Sequence, residues 1–215
     1  MAAVLSTMAA SRDLSASAPT ESDSPDAELV HKARTGDRDA CFAIWSKYAA
    51  LVQRLVRRFL GPGIDYQDVC QEVFLRIFKR LGQVRDPAAL PGFVASVALG
   101  VARNEVRRRR IRAVVGLVPE VTLPDAPTFV GQGEAREALR ALYRMLDTFG
   151  AEDRSLFVAR FIEKMELTEV ATAHDLSLST AKRRLARLAK RVNTRVQADP
   201  VLTEYVSPIG QGESS

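Results

Sequence analysis

Apolar residues recur at spacings of three and four over two long stretches of the chain, residues 26–112 and 134–195. This spacing places them along one face of an α-helix, so both stretches are predicted to consist of amphipathic helices. No segment alternates apolar and polar residues for long enough to be a convincing strand. The pattern therefore predicts an all-α fold with two small helical domains.

The segments outside these stretches have a different composition. Residues 113–133 lose the helical period and contain several prolines and glycines, which predicts a flexible linker between the domains. Residues 1–25 are rich in Ala, Ser, Thr and Pro and are predicted to be a disordered N-terminal tail. Residues 197–215 are predicted to be a short C-terminal tail. The predicted domains are therefore residues 26–112 and 134–196.

The C-terminal domain contains the pattern of a helix-turn-helix. Residues 167–174 are predicted to form a short amphipathic helix. Its inward positions are Leu167, Val170 and Ala171. Asp175 stands where a left-handed turn residue is wanted, and Ser177 is a favoured N-cap for the next helix. The apolar stripe of that next helix is predicted to contain Leu178, Ala181, Leu185, Leu188 and Val192. Such a domain is winged-helix-like without a wing.

The face of this second helix opposite the stripe is basic. Seven basic residues and no acidic ones lie between Lys182 and Arg195. A helix with an apolar back and a basic front fits the major groove of DNA, where arginine bridges the acceptors of guanine. The alternative is an ordinary helix with a solvated basic face. The candidate DNA-binding residues are Ser179, Thr180, Lys182, Arg183, Arg184 and Arg187.

A second concentration of positive charge ends the first helical stretch. Residues 92–101 are small and apolar, and they lead into six arginines within ten residues, with only Glu105 opposing them. Such a patch can neutralise several phosphates, although cations are also favoured at any helix C-terminus. Because four consecutive arginines exceed what a helix end needs, we favour a nucleic-acid site. The arginines are Arg103, Arg107, Arg108, Arg109, Arg110 and Arg112.

Residues 64–81, which follow a helix break at Gly-Pro-Gly, are predicted to form a helix with two different faces. The core stripe is predicted to contain Cys70, Val73, Phe74, Ile77 and Leu81. The far face carries Asp68, Gln71, Glu72 and Leu75. Acids and an amide beside an outward leucine, in an otherwise basic protein, suggest a protein partner. The alternative is local, because Asp65 and Asp68 can cap the helix and favour its dipole.

Charge and cysteine content narrow the class of protein. There are 31 lysines and arginines against 26 aspartates and glutamates, a net charge of +5, which points weakly to a polyanionic partner. Cys41 and Cys70 have no metal-ligand spacing, so no metal or other cofactor is expected, and reduced core thiols in the cytoplasm are predicted. No run of about 18 apolar residues and no signal-peptide pattern occurs, so no membrane insertion is expected.

Enzymatic chemistry on nucleic acid would need a carboxylate cluster, metal ligands or an activated nucleophile. Asp65, Asp68 and Glu72 are the only tempting acids, and they lie on one helix face without a histidine. We therefore assign no catalytic residue and predict that the protein is not an enzyme.

These motifs together resemble the bacterial RNA polymerase sigma factors of the extracytoplasmic-function group, within the sigma-70 family. Residues 26–37 are similar to the family's opening helix and turn, and residues 65–76 to its polymerase-binding motif. Residues 101–104, Val-Ala-Arg-Asn, and the arginines after them resemble its promoter-melting segment. Residues 167–171 and 177–187 resemble its C-terminal helix-turn-helix.

The resemblance implies a promoter-reading subunit whose partners are core RNA polymerase (the β′ and β subunits), promoter DNA and an anti-sigma factor. The residues implied to bind the core polymerase are Asp65, Asp68, Gln71, Glu72 and Leu75. Those implied to hold the minus-ten element are Arg103, Asn104, Arg107, Arg108, Arg109 and Arg110. The six candidates on the basic helix are implied to read the minus-thirty-five element. The alternative function is a stand-alone helix-turn-helix regulator, which would bind its operator tightly without polymerase.

Overall fold

The computed structural model describes residues 25–61, 64–84, 86–114 and 133–205. Within these ranges all regular structure is helical, which confirms the predicted all-α fold. The described residues form two compact units. The predicted N-terminal tail, up to residue 24, and most of the predicted linker lie outside the described residues.

The first unit contains helices α1 (Pro25–Arg34), α2 (Arg38–Leu60), α3 (Gln67–Arg80) and α4 (Leu90–Val114), with 3-10 turns at Leu81–Gln83 and Pro87–Ala89. Helix α2 packs along α4, α3 packs against both, and α1 packs against α2. The predicted core stripe of α3 is confirmed, because its members are all buried: Cys70, Val73, Phe74, Ile77 and Leu81.

Both cysteines of this unit are free thiols. Burial raises the pKa of the Cys70 thiol to about 11, so the thiol stays protonated at neutral pH. Cys41 is half-buried. Only the thiolate is reactive, so the protonated Cys70 thiol is inert and packs as a small apolar core residue.

The turn between α1 and α2 and the side chain of Arg34 fix the start of the first unit. Gly36 adopts a φ of +85°, which lets the chain turn sharply after α1, and the Asp37 Oδ1 atom accepts a hydrogen bond from the Ala40 amide at 2.9 Å. The Arg34 guanidinium then donates to two carbonyls after α3, those of Leu81 and Val84. Helix α1 is thereby fixed to the 3-10 turn that leads towards α4.

The second unit contains helices α5 (Gly133–Asp147), α6 (Ala151–Phe157), α7 (Leu167–Ala173), α8 (Leu178–Gln197) and α9 (Pro200–Tyr205). Helix α6 continues as a π-helical segment, Val158–Ile162. Helices α7 and α8 pack together as the predicted helix-turn-helix. The side chains almost fully enclosed in this unit include Leu146, Phe149, Leu156, Val170 and Leu188.

Three large apolar residues that follow the three- and four-residue apolar spacing of their helices are nevertheless exposed. Phe42 and Trp45, which follow the apolar spacing of α2, are 64% and 45% exposed, and Leu178, assigned to the stripe of α8, is 49% exposed. On α2 the core positions are filled by other side chains, among them Ala40 and Ile44. Leu178 is the first residue of α8 and precedes the part of that helix that packs on the core. The prediction for Leu178 was therefore wrong.

The prediction of a C-terminal tail from residue 197 was also wrong as far as Tyr205. Helix α8 continues to Gln197, and a further helix, α9, follows it. Pro200 begins α9, a position where a residue without an N–H donor is well tolerated. The Asp199 Oδ1 atom accepts hydrogen bonds from the amides of Val201 at 3.0 Å and Leu202 at 3.2 Å. Leu202 is 1% exposed, and the Tyr205 hydroxyl donates to Glu134 at the start of α5 at 3.1 Å. Residues beyond 205 lie outside the described ranges.

We expect Leu202→Ala to loosen the contact of α9 with α5 and α8. Truncating a fully buried leucine costs about 2 kcal/mol or more, through lost transfer free energy and the cavity left behind. Hydrogen exchange followed by mass spectrometry on the full chain should show faster exchange in α8 and α9 of this variant. Glu204→Ala, an exposed site on the same helix, is the control. Equal protection in both variants would mean that α9 is not packed in solution.

Candidate functional site

The turn of the helix-turn-helix has the geometry expected from its sequence. Asp175 adopts a φ of +52°, and the Leu176 amide donates to the Ala171 carbonyl at 2.9 Å. The Ser177 side chain caps α8 by accepting a hydrogen bond from the Thr180 amide. These contacts set the direction in which α8 leaves α7, and both the predicted left-handed residue and the predicted N-cap are confirmed.

Two further contacts fix α7 in place. At its N-terminus Glu166 and Glu169 form a capping box, in which the Glu166 amide donates to the Glu169 carboxylate at 2.7 Å. At its C-terminus the His174 Nε2 atom lies 3.3 Å from the Ser155 hydroxyl of α6. Ser155 is fully buried, so the turn is tied to the interior of the unit.

All six predicted minus-thirty-five residues lie on the first three turns of α8. Five of them are exposed and Thr180 is half-buried. The opposite side of the helix is apolar and buried, with Ala181, Leu185, Leu188 and Val192 against the core. The exposed residues are Ser179, Lys182, Arg183, Arg184 and Arg187. The outward side of α8 is therefore a continuous cationic and hydroxyl-bearing surface.

Arg191 differs from the other cations of α8. Its guanidinium pairs with the Asp153 carboxylate on α6 and stands 4.7 Å from the ring centroid of Phe149, which is 1% exposed. A cation over an aromatic face is favourable electrostatically. Arg191 therefore anchors α8 to α6, a role that the sequence pattern, which counts it among the basic residues, did not reveal.

The predicted minus-ten residues lie together along the last part of α4. Apolar side chains of this helix are buried as far as Val106, and most of its arginines lie at the surface beyond that point. Arg107, Arg108 and Arg110 are exposed, whereas Arg103, Asn104 and Arg109 are half-buried. The Glu105 Oε1 atom accepts from Arg109 at 2.8 Å and from Arg112 at 3.0 Å. The surface is thus strongly cationic, with one carboxylate inside it.

The residues of α3 that the sequence predicts to face away from the core lie at the surface or are half-buried. Asp68, Gln71 and Leu75 are exposed, and Leu75 is 48% exposed despite its apolar side chain. Glu72 is half-buried and pairs with Arg76 at 2.6 Å. Asp65 precedes the helix, and its Oδ1 atom accepts from the Gln67 amide at 2.9 Å, so this residue has the local role that the alternative interpretation gave it.

A row of aromatic rings that joins α2 and α3 was missed by the sequence analysis. Phe42 and Trp45 stack with ring centroids 5.6 Å apart, Trp45 lies 6.4 Å from Phe74, and Phe74 lies 6.2 Å from Phe78. Exposed apolar side chains that cluster mark sites of interaction more often than scattered ones do. The sequence does contain a sign that Phe42 is exposed. Ile44, Tyr48 and Val52 repeat every four residues and form the buried stripe of α2 without it.

Neither a metal site nor a membrane span is found in the part of the chain that the structure describes. No group of three or more His, Cys, Asp or Glu side chains there could hold a metal ion. No helix within the described ranges is long and apolar enough to cross a membrane.

Curated proteins similar to this chain are bacterial sigma factors. The RNA polymerase sigma-H factor of Pseudomonas aeruginosa is 25% identical over 191 residues, covering 83% of this chain and 96% of that protein. The ECF RNA polymerase sigma-E factor of Escherichia coli strain K12 is 23% identical over 184 residues, covering 80% and 94%. The family model of Sigma-70 region 2 matches residues 44–111, from α2 to the arginines of α4. These matches show that residues 44–111 correspond to Sigma-70 region 2 and that the chain is similar to bacterial sigma factors over most of its length.

The relative from Escherichia coli is a sigma factor of the ECF, or extracytoplasmic-function, group. The structure of CnrH in complex with the cytosolic domain of CnrY has the same fold, with a TM-score of 0.57 and 19% identity. That match covers 81% of this chain and 98% of CnrH. The region 2 match contains the α3 face and most of the arginines of α4, whereas the helix-turn-helix of the chain lies outside residues 44–111.

Proposed function

We propose that this chain is a sigma factor, which binds core RNA polymerase through α3 and directs transcription initiation at promoters that it reads with α4 and α8. The observation that carries this proposal is the presence, in one chain that matches Sigma-70 region 2, of two separate cationic helical surfaces and one acidic and amide face. The polymerase supplies the catalytic site and its metal. This chain contributes sequence choice, needs no cofactor and has no catalytic activity of its own.

The polymerase-binding surface proposed here comprises Asp65, Asp68, Gln71, Glu72 and Leu75. An exposed leucine beside acidic and amide groups suits an interface that has an apolar centre and a polar rim. Charge complementarity between this acidic face and the coiled coil of β′ would steer the encounter and fix its register.

The minus-ten surface is proposed to comprise Arg103, Asn104, Arg107, Arg108, Arg109 and Arg110. Arginines neutralise phosphates of the melted strand, and the Asn104 amide can donate to and accept from a base edge. The minus-thirty-five surface comprises Ser179, Thr180, Lys182, Arg183, Arg184 and Arg187. With α8 in the major groove, its arginines can bridge guanine acceptors.

We propose that the two DNA-binding parts are residues 26–112 and a second part that begins at residue 134 and extends through α9 to Tyr205, joined by a linker at 113–133. A tether makes the second contact intramolecular, so that the two weak contacts reinforce one another. An anti-sigma factor is proposed to regulate this chain in the cytoplasm. The complex of the similar protein CnrH with the cytosolic domain of CnrY supports a protein partner of this kind.

Run-off transcription tests the proposal. Purified core RNA polymerase is supplied with a promoter library, with and without the full chain, and the transcripts are sequenced. We expect transcripts from a defined set of promoters that require the chain. Tight binding of the chain to duplex DNA, with neither transcripts nor polymerase binding, would contradict the proposal and favour the stand-alone regulator.

The arginines of α4 are expected to make promoter binding steeply dependent on salt. Removing two phosphate contacts with Arg108→Ala and Arg110→Ala should reduce the slope of log K against log salt by about 1.4, at roughly 0.7 per contact on a single strand. The measurement is fluorescence anisotropy of holoenzyme on a probe with an unpaired minus-ten strand. Arg38→Ala with Lys79→Ala removes the same charge from exposed sites on α2 and α3. Equal slopes for the two double variants would exclude the α4 arginines from the interface.

A further inference from the structure

The first residue of α8 carries an apolar side chain that faces solvent. Leu178 is 49% exposed, and it is the only large apolar side chain exposed to this degree within residues 133–205. The other apolar positions of α8, such as Ala181 and Leu185, are buried. In the helix proposed to enter DNA, Leu178 is therefore accessible for an apolar contact on that side.

The polar groups around Leu178 bond to one another. The Ser177 hydroxyl accepts from the Thr180 amide at 3.3 Å, donates to the Thr180 hydroxyl at 2.8 Å and lies 3.2 Å from the Ser179 hydroxyl. These hydroxyls are engaged with one another, and the Leu178 side chain is exposed among them at the start of the helix. Residues four apart lie on the same side of a helix, so Leu178 stands one turn before the exposed Lys182.

We propose that Leu178 contacts the C5-methyl group of a thymine in the upstream promoter element and thereby selects an A·T pair at one position. The thymine methyl is the apolar group among the major-groove edges of the bases, and apolar side chains are its natural partners. The first residues of a recognition helix are those that reach base edges. This inference rests on the proposed function, because it requires α8 to read the minus-thirty-five element.

The test removes the methyl group alone. Holoenzyme made from core polymerase and the full chain is titrated with its preferred promoter, in which each thymine of the upstream element is replaced in turn by deoxyuridine. With the natural chain, one replacement should weaken binding about 4-fold, the effect of burying one methyl-sized group. Leu178→Ala should bind the thymine and deoxyuridine promoters equally, and Leu178→Met should restore the preference in part.

Other outcomes separate failure of this inference from failure of the function. Promoter-specific binding that no deoxyuridine replacement changes, or an upstream element without an A·T pair, would overturn the role of Leu178 while leaving the sigma function in place. A methyl preference that persists in Leu178→Ala would assign the contact to another residue. Absence of any promoter-specific binding by the holoenzyme would overturn both proposals.

Discussion

Asp68→Lys is expected to abolish transcription by preventing the chain from binding core RNA polymerase. Asp68 is exposed in the first turn of α3, on the face that also carries Gln71 and Leu75. Reversing a charge at the centre of a complementary interface replaces attraction by repulsion, at a cost of about 2 kcal/mol or more, or roughly 30-fold in Kd. Titration of labelled full-length chain with core polymerase measures the effect directly.

The chain offers a closely matched control for this experiment. Asp39 is also an exposed acid in the first turn of a helix, α2, within the same unit. Asp39→Lys therefore changes the net charge by the same amount and loses the same favourable interaction with a helix N-terminus. We expect it to retain polymerase binding. If both variants lose binding equally, the loss reflects charge or stability, and the α3 face is not the site.

The second large effect is expected on α8. Arg183→Ala combined with Arg187→Ala should remove the preference of the holoenzyme for promoters with an intact upstream element. Each bidentate contact with guanine contributes about 1–3 kcal/mol of discrimination, so losing both should cost about 2 kcal/mol or more. The quantity to compare is the ratio of Kd values for a promoter with and without that element, measured for natural and variant holoenzymes at one salt concentration.

Arg191→Ala separates DNA reading from the positioning of α8. It removes a cation from the same helix, but one that pairs with Asp153 and stands over Phe149. We expect this variant to keep most of the discrimination and to lose about 1 kcal/mol of stability. A collapse of discrimination in Arg191→Ala, with no change in the double variant, would mean that α8 presents a different face to DNA.

The helix-turn-helix could be predicted because its signals are local. The +52° φ of Asp175 and the cap formed by Ser177 depend on residues within a few positions of each other. The core stripe of α3 was predictable for a similar reason, since Val73 and Ile77 repeat at the helical period and both are buried. Local chemistry and periodicity thus sufficed for the elements on which the candidate sites lie.

Features that depend on distant parts of the chain were not predictable in this way. Periodicity placed Leu178 in a buried stripe, but burial depends on whether another helix reaches the end of α8. The ion pair of Arg191 with Asp153 joins residues 38 positions apart in the sequence. The hydrogen bond from Tyr205 to Glu134 joins residues 71 positions apart. The roles assigned to individual DNA-binding and polymerase-binding residues stay predictions.

Glu105 has a consequence for how this protein behaves when no promoter is present. Its carboxylate is 16% exposed and already occupies two of the arginines at the end of α4. A phosphate approaching Arg109 must displace that carboxylate, so it gains only the difference between the two attractions. The arginine surface therefore has a lower affinity for non-specific RNA and DNA than its charge suggests. An internal competitor of this kind favours ligands that make many simultaneous contacts over abundant ones that make few.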